Sequence, residues 1–458
     1  MQVNIIEAVK YAVDMKSLHE ETLQFLMQCF GCARKVYNLY VDFLYQKLEK
    51  EGYTNGDELP ALKLPEVSSF KKIYPYLKKA DSLALSNAKI DFEDAVKRYN
   101  KQSDHMTYTK RAKRRAESGT EPLTFRGLVG MPKFHARAKG HFSYTTNCQY
   151  PNEKNSLVNP TIRLEDNVLF VPKIKKGIKL FVHKKLPENA VIKNATLSMN
   201  SAGQIFIAIG YNREIEIDLH IRETALSGDM DKINTLKFLG LDYSQPYFYV
   251  DSEGRKANYP KFYRESEEKL ARYQKQLSQM EKGSKNYEKK LRQIQKLHIH
   301  IANQRKDFLH KLSRKLVNTY DVIVVEDINL RAMGQALRLA KNLHDNGFGM
   351  FRDFLSYKLE RKGSVLVKVD RFFASTKTCN VCGEKNPLIV LGVDEWICPH
   401  CGTHHLRDDN AAVNIREEGK KIFSSFYSQL LEEEEKTKER AEKRLLPEKR
   451  KNLLPKTF

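Results

Sequence analysis

Four of the seven cysteines fall into two short pairs, Cys379-x2-Cys382 and Cys398-x2-Cys401, with fifteen residues between them. A Cys-x2-Cys turn gathers two thiolates at one point, and two such turns surround a Zn2+ ion with four sulfurs in the tetrahedral arrangement of structural zinc. Four sulfur ligands leave no open position for water, so the expected metal is structural rather than hydrolytic. Gly383 and Gly402 directly follow the pairs, as tight metal-binding turns require. Cys29 and Cys32 lie three apart within an amphipathic helical pattern and are expected in the core, and Cys148 stands alone.

The second candidate chemistry is acidic. Asp242 ends the apolar stretch LKFLGLD, Glu326 ends VIVVE, and Asp408 opens DDNAAVNIREEG just past the cysteine pairs. A carboxylate at the end of a buried strand is costly unless it meets a cleft, a partner or a cation. Three such groups converging could hold the two Mg2+ ions of phosphodiester hydrolysis. Singly, Asp242 and Glu326 also read as strand-end turn acids, and Asp408 as a helix N-cap.

These residues sit in a chain of 458 residues with 79 Lys plus Arg against 57 Asp plus Glu, a formal charge of +22 and pI near 9.4. That imbalance points to a polyanionic partner, with nucleic acid foremost. At 41 % hydrophobic residues the chain has enough apolar side chains for packed cores, which excludes wholesale disorder. The first twenty residues interleave charges with apolar residues, and no long apolar run follows, so neither a cleavable secretory leader nor a membrane span is expected. With paired cysteines read as metal ligands, the expected compartment is a reducing cytoplasm, associated with the nucleoid.

The elements that must position this chemistry follow from periodicity. Residues 1 to 15 alternate as one strand. Apolar residues then recur at helical spacing from Leu18 to Leu44 and again over Ser82 to Tyr99. Residues 97 to 141 hold twelve Lys or Arg against three acids, with Phe125, Phe134 and Phe142 nearby, and suggest a phosphate-contacting surface. Short alternating stretches from Tyr144 to Tyr211 read as hairpins of a small β-barrel or sandwich, and the lysines of KIKKGIKLFVHKK make one of its faces basic. Beyond Thr235, a strand ending in Asp242, a hairpin, two helices over Arg264 to Val317 broken at Gly283 to Asn286, the strand to Glu326, a helix from Met350 to Lys362 and the strand VLVKVD imply an α/β layer with a mixed sheet. Leu430 to Phe458 reads as a fraying charged tail.

The segments GLDYSQPYFYVDSEG, ANQRKDFLHKLSRKLV, VVEDINLRAMGQ, NGFGMFRDFLSYKLERKG, STKTCNVCG, CPHCGTHH and DDNAAVNI, in that order, closely resemble the TnpB family of transposon-encoded proteins, relatives of the miniature type V CRISPR effectors. YPYLKKADSLALSNAKIDFEDAVKRY and GMPKFHARAKGHFSYTT are similar to the family's N-terminal segments, so the resemblance covers most of the chain. It implies a multidomain α/β plus β-barrel architecture: a wedge barrel whose first strand is 1–15, an inserted helical recognition domain at 16–105, and the barrel itself at 106–234. A RuvC-like nuclease of RNase H type then occupies 235–375 and 405–430, interrupted by a target-binding zinc ribbon at 376–404 and followed by a tail at 431–458.

The implied activity is Mg2+-dependent, RNA-guided cleavage of both strands of a target DNA beside a short adjacent motif, by one site carrying Asp242, Glu326 and Asp408. Cys379, Cys382, Cys398 and Cys401 would hold one Zn2+, and the protein would act with its guide RNA, most simply as a monomer. The candidate nucleic-acid contacts are Lys110, Arg111, Lys113, Arg114, Arg115, Lys133, Lys175, Lys176, Arg305 and Lys306. Two departures from the family pattern stand out. Leu406 replaces an acid often found two residues before Asp408, which is retained and chosen over Asp409, and Ser244 replaces a glycine two residues after Asp242. Strand alternation sends Asp327 to the face opposite Glu326. A competing expectation is a guided DNA-binding repressor or transposition accessory protein without cleavage. An RNA-binding structural protein is a further one.

Overall fold

The computed structural model describes residues 2–136, 140, 142–153, 155, 157–244, 247–328, 347–390 and 392–425. The end of the segment VVEDINLRAMGQ, from Asn329, and the tail from Leu430 lie outside them. Two compact units divide the chain, one of Val3–Ile215 and one built from Glu216 onward.

The first unit comprises β1 (Gln2–Val13), α1 (Glu20–Lys50), α2 (Val67–Ile73), α3 (Ser82–Asn100), α4 (Lys110–Glu117), β2 (Ser143–Asn147), β3 (Arg163–Glu165), β4 (Val168–Val171), β5 (Ile174–Phe181), β6 (Val191–Met199) and β7 (Ile205–Glu216). Helix α1 buries Leu26, Phe30, Ala33, Val36, Tyr40 and Leu44 along one stripe, as the three-and-four spacing predicts. Glu20 and Glu21 in its first turn and Lys47 and Lys50 in its last suit the helix dipole. Helix α3 begins at Asp81, whose side chain accepts from the Leu83 N–H at 3.0 Å, and packs on α1 and β2. The strands form one seven-stranded sheet of order β2-β6-β7-β1-β5-β4-β3, so the first strand of the chain lies in its interior. Strands β3 and β4 join through Asp166 and Asn167, both at positive φ, the two-residue turn whose twist matches a hairpin. Helix α4 has no counterpart in the periodicity, because KRAKRRAE carries no apolar stripe and none of its residues is buried.

The second unit comprises α5 (His220–Leu226), α6 (Met230–Thr235), β8 (Phe238–Asp242), β9 (Tyr249–Asp251), β10 (Lys256–Ala257), α7 (Phe262–Ser278), α8 (Lys285–Thr319), β11 (Val322–Glu326), α9 (Phe348–Lys362), β12 (Val365–Val369), β13 (Glu395–Ile397), β14 (His404–Leu406) and a helix α10 over 407–425. Its five-stranded sheet runs β10-β9-β8-β11-β12, with β8, β11 and β12 parallel and the β9–β10 hairpin antiparallel. The parallel strands are covered on both faces, hence their unbroken apolar sequences. Leu239, Leu241, Ile323 and Val325 meet α8 and α9 through Leu309, Leu316, Phe351, Leu355 and Leu359. Phe238, Val322, Val324 and Val367 meet α5, α6 and α10 through Ile221, Ile233, Ile415 and Phe423. The break between α7 and α8 falls at the predicted GSKN turn, where the Ser284 hydroxyl caps α8 by accepting from the Tyr287 N–H at 3.2 Å.

Candidate active site and metal centre

The period of two along a strand decides where the strand-end acids point. Phe238, Gly240 and Asp242 share one face of β8, and Val322, Val324 and Glu326 share the same face of β11, the face that α10 covers. The register pairs Val325 with Leu241, so Asp242 and Glu326, each one residue farther on, end their strands side by side. Helix α10 is seated there by two glycines. A Cβ on Gly240 would lie 2.2 Å from the Ala412 carbonyl oxygen and 2.7 Å from the Arg416 nitrogen, and one on Gly419 would lie 2.4 Å from the Val324 methyl groups. From Gly240 to Asp242 the strand rises about 6.6 Å. From Ala412 back to Asp408 the helix rises about 6 Å. The two advances match, which brings Asp408 to Asp242.

Electrostatics register the meeting. Asp242 is 6 % exposed. Burial first, then the charges of Asp408 and Glu326, hold its carboxyl well above the usual carboxylate range, against the pull of Arg407. Burial pushes Glu326 up to about 7. Arg407 donates from Nε and Nη2 to one Asp408 oxygen at 3.1 and 3.0 Å and also lies 3.6 Å from Asp394. Three carboxylates against one guanidinium leave this corner short of positive charge, and their hard oxygens are of the type Mg2+ takes, but among the described residues only the four cysteines stand close enough together to hold an ion without rearrangement. Asp409 faces elsewhere, among Lys256 and Asp251, and burial raises its carboxyl. Asp327 turns to Arg352 of α9, with Nη1 to oxygen at 3.2 Å. Ser244 is buried, and its hydroxyl has no hydrogen-bond partner.

The four paired cysteines also come together. Their sulfurs all lie within 4.8 Å of one another, with Cys379 to Cys401 at 3.7 Å and Cys382 to Cys398 at 3.6 Å. A tetrahedron with Zn–S bonds of about 2.3 Å has sulfur–sulfur edges of about 3.8 Å, so the set fits zinc. Gly383 and Gly402 have positive φ, and their N–H groups close the turns onto the Cys379 and Cys398 carbonyls. The Thr403 hydroxyl, 3.2 Å away, is the main cause that lowers the Cys401 thiol to about 6. His405 Nε2 lies 3.1 Å from the Cys379 sulfur, a contact that spacing did not announce. Cys29 and Cys32 are buried in α1, where burial raises both thiols.

The basic candidates divide between the two units. Lys110, Arg111, Lys113 and Arg114 are exposed on α4, and Arg115 pairs with Glu121 at 2.6 Å. Arg111, Arg115 and Lys133 line a cleft of about 1060 Å³ together with Arg126, Tyr53 and Tyr108. Lys175 and Lys176 are exposed on β5. In the second unit Arg305 donates from Nε to the Tyr259 hydroxyl at 3.3 Å, and Lys306 is exposed on α8. Sequence reasoning missed Arg407, Arg126 and Gly240. Only the last left a signal, a glycine inside an apolar strand, which marks close backbone approach.

Comparisons with known proteins bear on this unit. Residues 223–337 match the OrfB_IS605 family model, described as a probable transposase, and residues 348–415 match the model of a Cas12f1-like TNB domain. A protein of Streptomyces pristinaespiralis that carries the provisional name RNA-guided DNA endonuclease is 41 % identical over 120 residues, which are 26 % of this chain and 30 % of that one. The TnpB-like protein L79 of Acanthamoeba polyphaga mimivirus is 33 % identical over 133 residues, 28 % of this chain and 25 % of that one. The chain thus spans under a third of the length of these two relatives. A Cas12f1 chain from a cryo-EM complex with guide RNA and target DNA aligns with 90 % of this chain and 99 % of its own length, at 11 % identity and a TM-score of 0.49.

Proposed function

We propose, from the matches over residues 223–337 and 348–415 and the likeness to TnpB-like and RNA-guided endonuclease relatives, that this chain is a TnpB-family protein, kin to the miniature type V effectors, and an RNA-guided DNA endonuclease. The observation that carries the reading is the gathering of Asp242, Glu326 and Asp408 at the ends of β8, β11 and the start of α10. In this reading the second unit is an RNase H-like, RuvC-like nuclease interrupted by a zinc ribbon, and the seven-stranded sheet with its helices is the wedge barrel with its recognition insert. Domain limits follow the resemblance: 1–15, 16–105, 106–234, 235–375, 376–404, 405–430 and 431–458.

The acids would hold Mg2+ and the four thiolates Zn2+. Bound Mg2+ would polarise the scissile phosphate and lower the pKa of the attacking water. The chain's own part is positional. Asp242 is buried and Glu326 partly so, and the desolvation that raises both carboxyls disfavours their bare charged forms, a cost that a bound dication would offset. Arg407 pins one Asp408 oxygen. The basic residues of α4 and β5, with Arg305 and Lys306, would contact backbone phosphates of guide and target while base pairing reads sequence. No helix among the described residues is long and apolar enough to cross a membrane.

The test is cleavage at about 150 mM salt, where nonspecific phosphate contacts are screened. Protein without its RNA should be nearly inactive on duplex DNA, and adding that RNA should restore cutting only at matched sites beside the adjacent motif. Cutting that ignores guide and sequence would refute the reading in favour of a nonspecific nuclease. Matched binding with no cutting would favour the repressor.

A further inference from the structure

The cysteine turns and the acid centre share one helix. Residues at 100° per step place Asp408, Ala412, Ile415 and Gly419 toward the sheet and Asn410 and Asn414 on the opposite side of α10. Both asparagines are nearly buried, at 2 % and 8 % exposed. Asn410 Oδ1 accepts from the Asn380 N–H at 2.9 Å, and its Nδ2 donates to the Thr378 carbonyl at 2.8 Å. Thr378 and Asn380 flank Cys379, so one planar amide grips the backbone on either side of a zinc-ligand candidate. Asn414 Nδ2 donates to the Ser375 and Thr378 carbonyls at 2.8 and 2.6 Å. A second tether joins the same pieces, since the Arg407 N–H donates to the Asp394 carbonyl at 2.8 Å and β14 runs directly into α10.

We infer that Asn410 and Asn414 are positioning residues that clamp the first cysteine turn to the back of α10, so that the thiolate site and the Asp408 carboxylate are set by a single rigid piece. The inference deepens the proposed nuclease reading and rests on it for the role of Asp408. The side chain must be Asn. Asp at 410 keeps the acceptor and loses the donor, Leu loses both, and Gln is a methylene too long for the grip. Partners that orient a ligand in this way commonly change metal affinity by roughly 10- to 100-fold when removed. Coupling between two sites is reciprocal, so loosening the clamp should be felt at both.

The experiment uses the full chain with its RNA and the volume-keeping variants Asn410→Leu and Asn414→Leu, singly and together. Three quantities are read: the rate of zinc release to a chromogenic chelator, the half-saturation concentration of Mn2+ measured by its electron paramagnetic resonance signal, and the melting temperature. Asn410→Leu should speed zinc release and raise the Mn2+ half-saturation by roughly tenfold. The double variant should add less than the sum of the singles, because both asparagines serve the Thr378 carbonyl. Cleavage by Asn410→Leu should lose kcat with KM for matched DNA unchanged, and excess Mn2+ should restore part of it. If zinc release quickens while Mn2+ half-saturation stays at the parent value, the asparagines hold the cysteine turn alone and the inference fails. It fails equally if neither quantity moves in a variant that still melts cooperatively. A parent protein that never cuts would overturn the nuclease reading while leaving the Mn2+ comparison to decide the clamp.

Discussion

Gly240→Ala tests the seating of α10 with the smallest possible change, a methyl group added to the middle of a buried strand. The new carbon would stand 2.2 Å from the Ala412 carbonyl oxygen, 2.7 Å from the Arg416 nitrogen and 2.9 Å from its Cβ. Ordinary contact needs more than 3 Å, and both sides are backbone, so the helix must retreat by about 1 Å. Asp408 lies one helical turn from Ala412 and moves with it, while Asp242, two residues along the strand from Gly240, does not. Overpacking of this kind costs about 1–3 kcal/mol of stability. A misplacement of about 1 Å in a reacting constellation costs about 100-fold in rate. The assay is single-turnover cleavage of matched duplex by the RNA-loaded protein, beside its affinity for the same DNA. The rate should fall by about 100-fold with binding unchanged, and Gly349→Ala, whose new methyl group meets nothing within 4 Å, should cut as the parent does. A Gly240→Ala protein cutting within twofold of the parent would show that the close approach of β8 and α10 does not set the acid geometry.

Removing any one hard ligand through Asp242→Ala, Glu326→Ala or Asp408→Ala should abolish cleavage and spare guided binding, whereas Asp409→Ala should stay active. An active Asp408→Ala with an inactive Asp409→Ala would reverse the choice of ligand. Metal analysis of protein purified without chelator should find about one zinc per chain, and Cys398→Ser should lower both that content and the cleavage rate; a stoichiometry near zero in the parent would remove the zinc assignment. Burial lowers the Lys358 ammonium to about 8 beneath His310 and Ser313. Between about 8 and the unfolded value of about 10.4 the unfolded chain binds more protons, so stability from this group rises with pH through that window. The parent should therefore gain on Lys358→Met by up to ~3 kcal/mol between pH 7 and 10.5 in urea melts, and a constant gap would contradict the assignment. Neutralising Lys110, Arg111, Lys113, Arg114 and Arg115 together should weaken RNA retention and flatten its salt dependence by up to about 0.7 per residue in the logarithmic slope, where an unchanged slope would leave α4 out of the interface.

The placement of Asp242 and Glu326 at strand ends was legible because parallel strands covered on both faces tolerate no polar residue until they end. An acid closing FLGLD or VIVVE therefore announces an edge, and the period of two then fixes the face. The cysteine turns were legible from spacing alone, since four thiolates must converge for the pattern to make sense. The clamp was not, because asparagines in the interior of a helix read as an ordinary polar face until the turn they bind is known. Arg407 was equally silent, as one guanidinium among many. The basic segments showed their charge but not their surface, since a run such as KRAKRR has sign without direction, and α4 lacks the apolar stripe that would have revealed it as a helix.

The position of Asp408 on α10 also bears on the order in which the chain is made. Translation at about 5–20 residues per second completes the Val3–Ile215 unit, with the lysines and arginines of α4 and β5, before Asp242 leaves the ribosome. Asp408 follows Asp242 on the order of ten seconds or more later. Until then the β8–β11 face lacks the helix that Gly240 and Gly419 fit so closely, and Asp242 and Glu326 lack the third carboxylate of the set. If the proposed function holds, a nascent chain would expose the basic residues of α4 and β5 well before it could assemble an acid centre, and any RNA binding during synthesis would precede cutting.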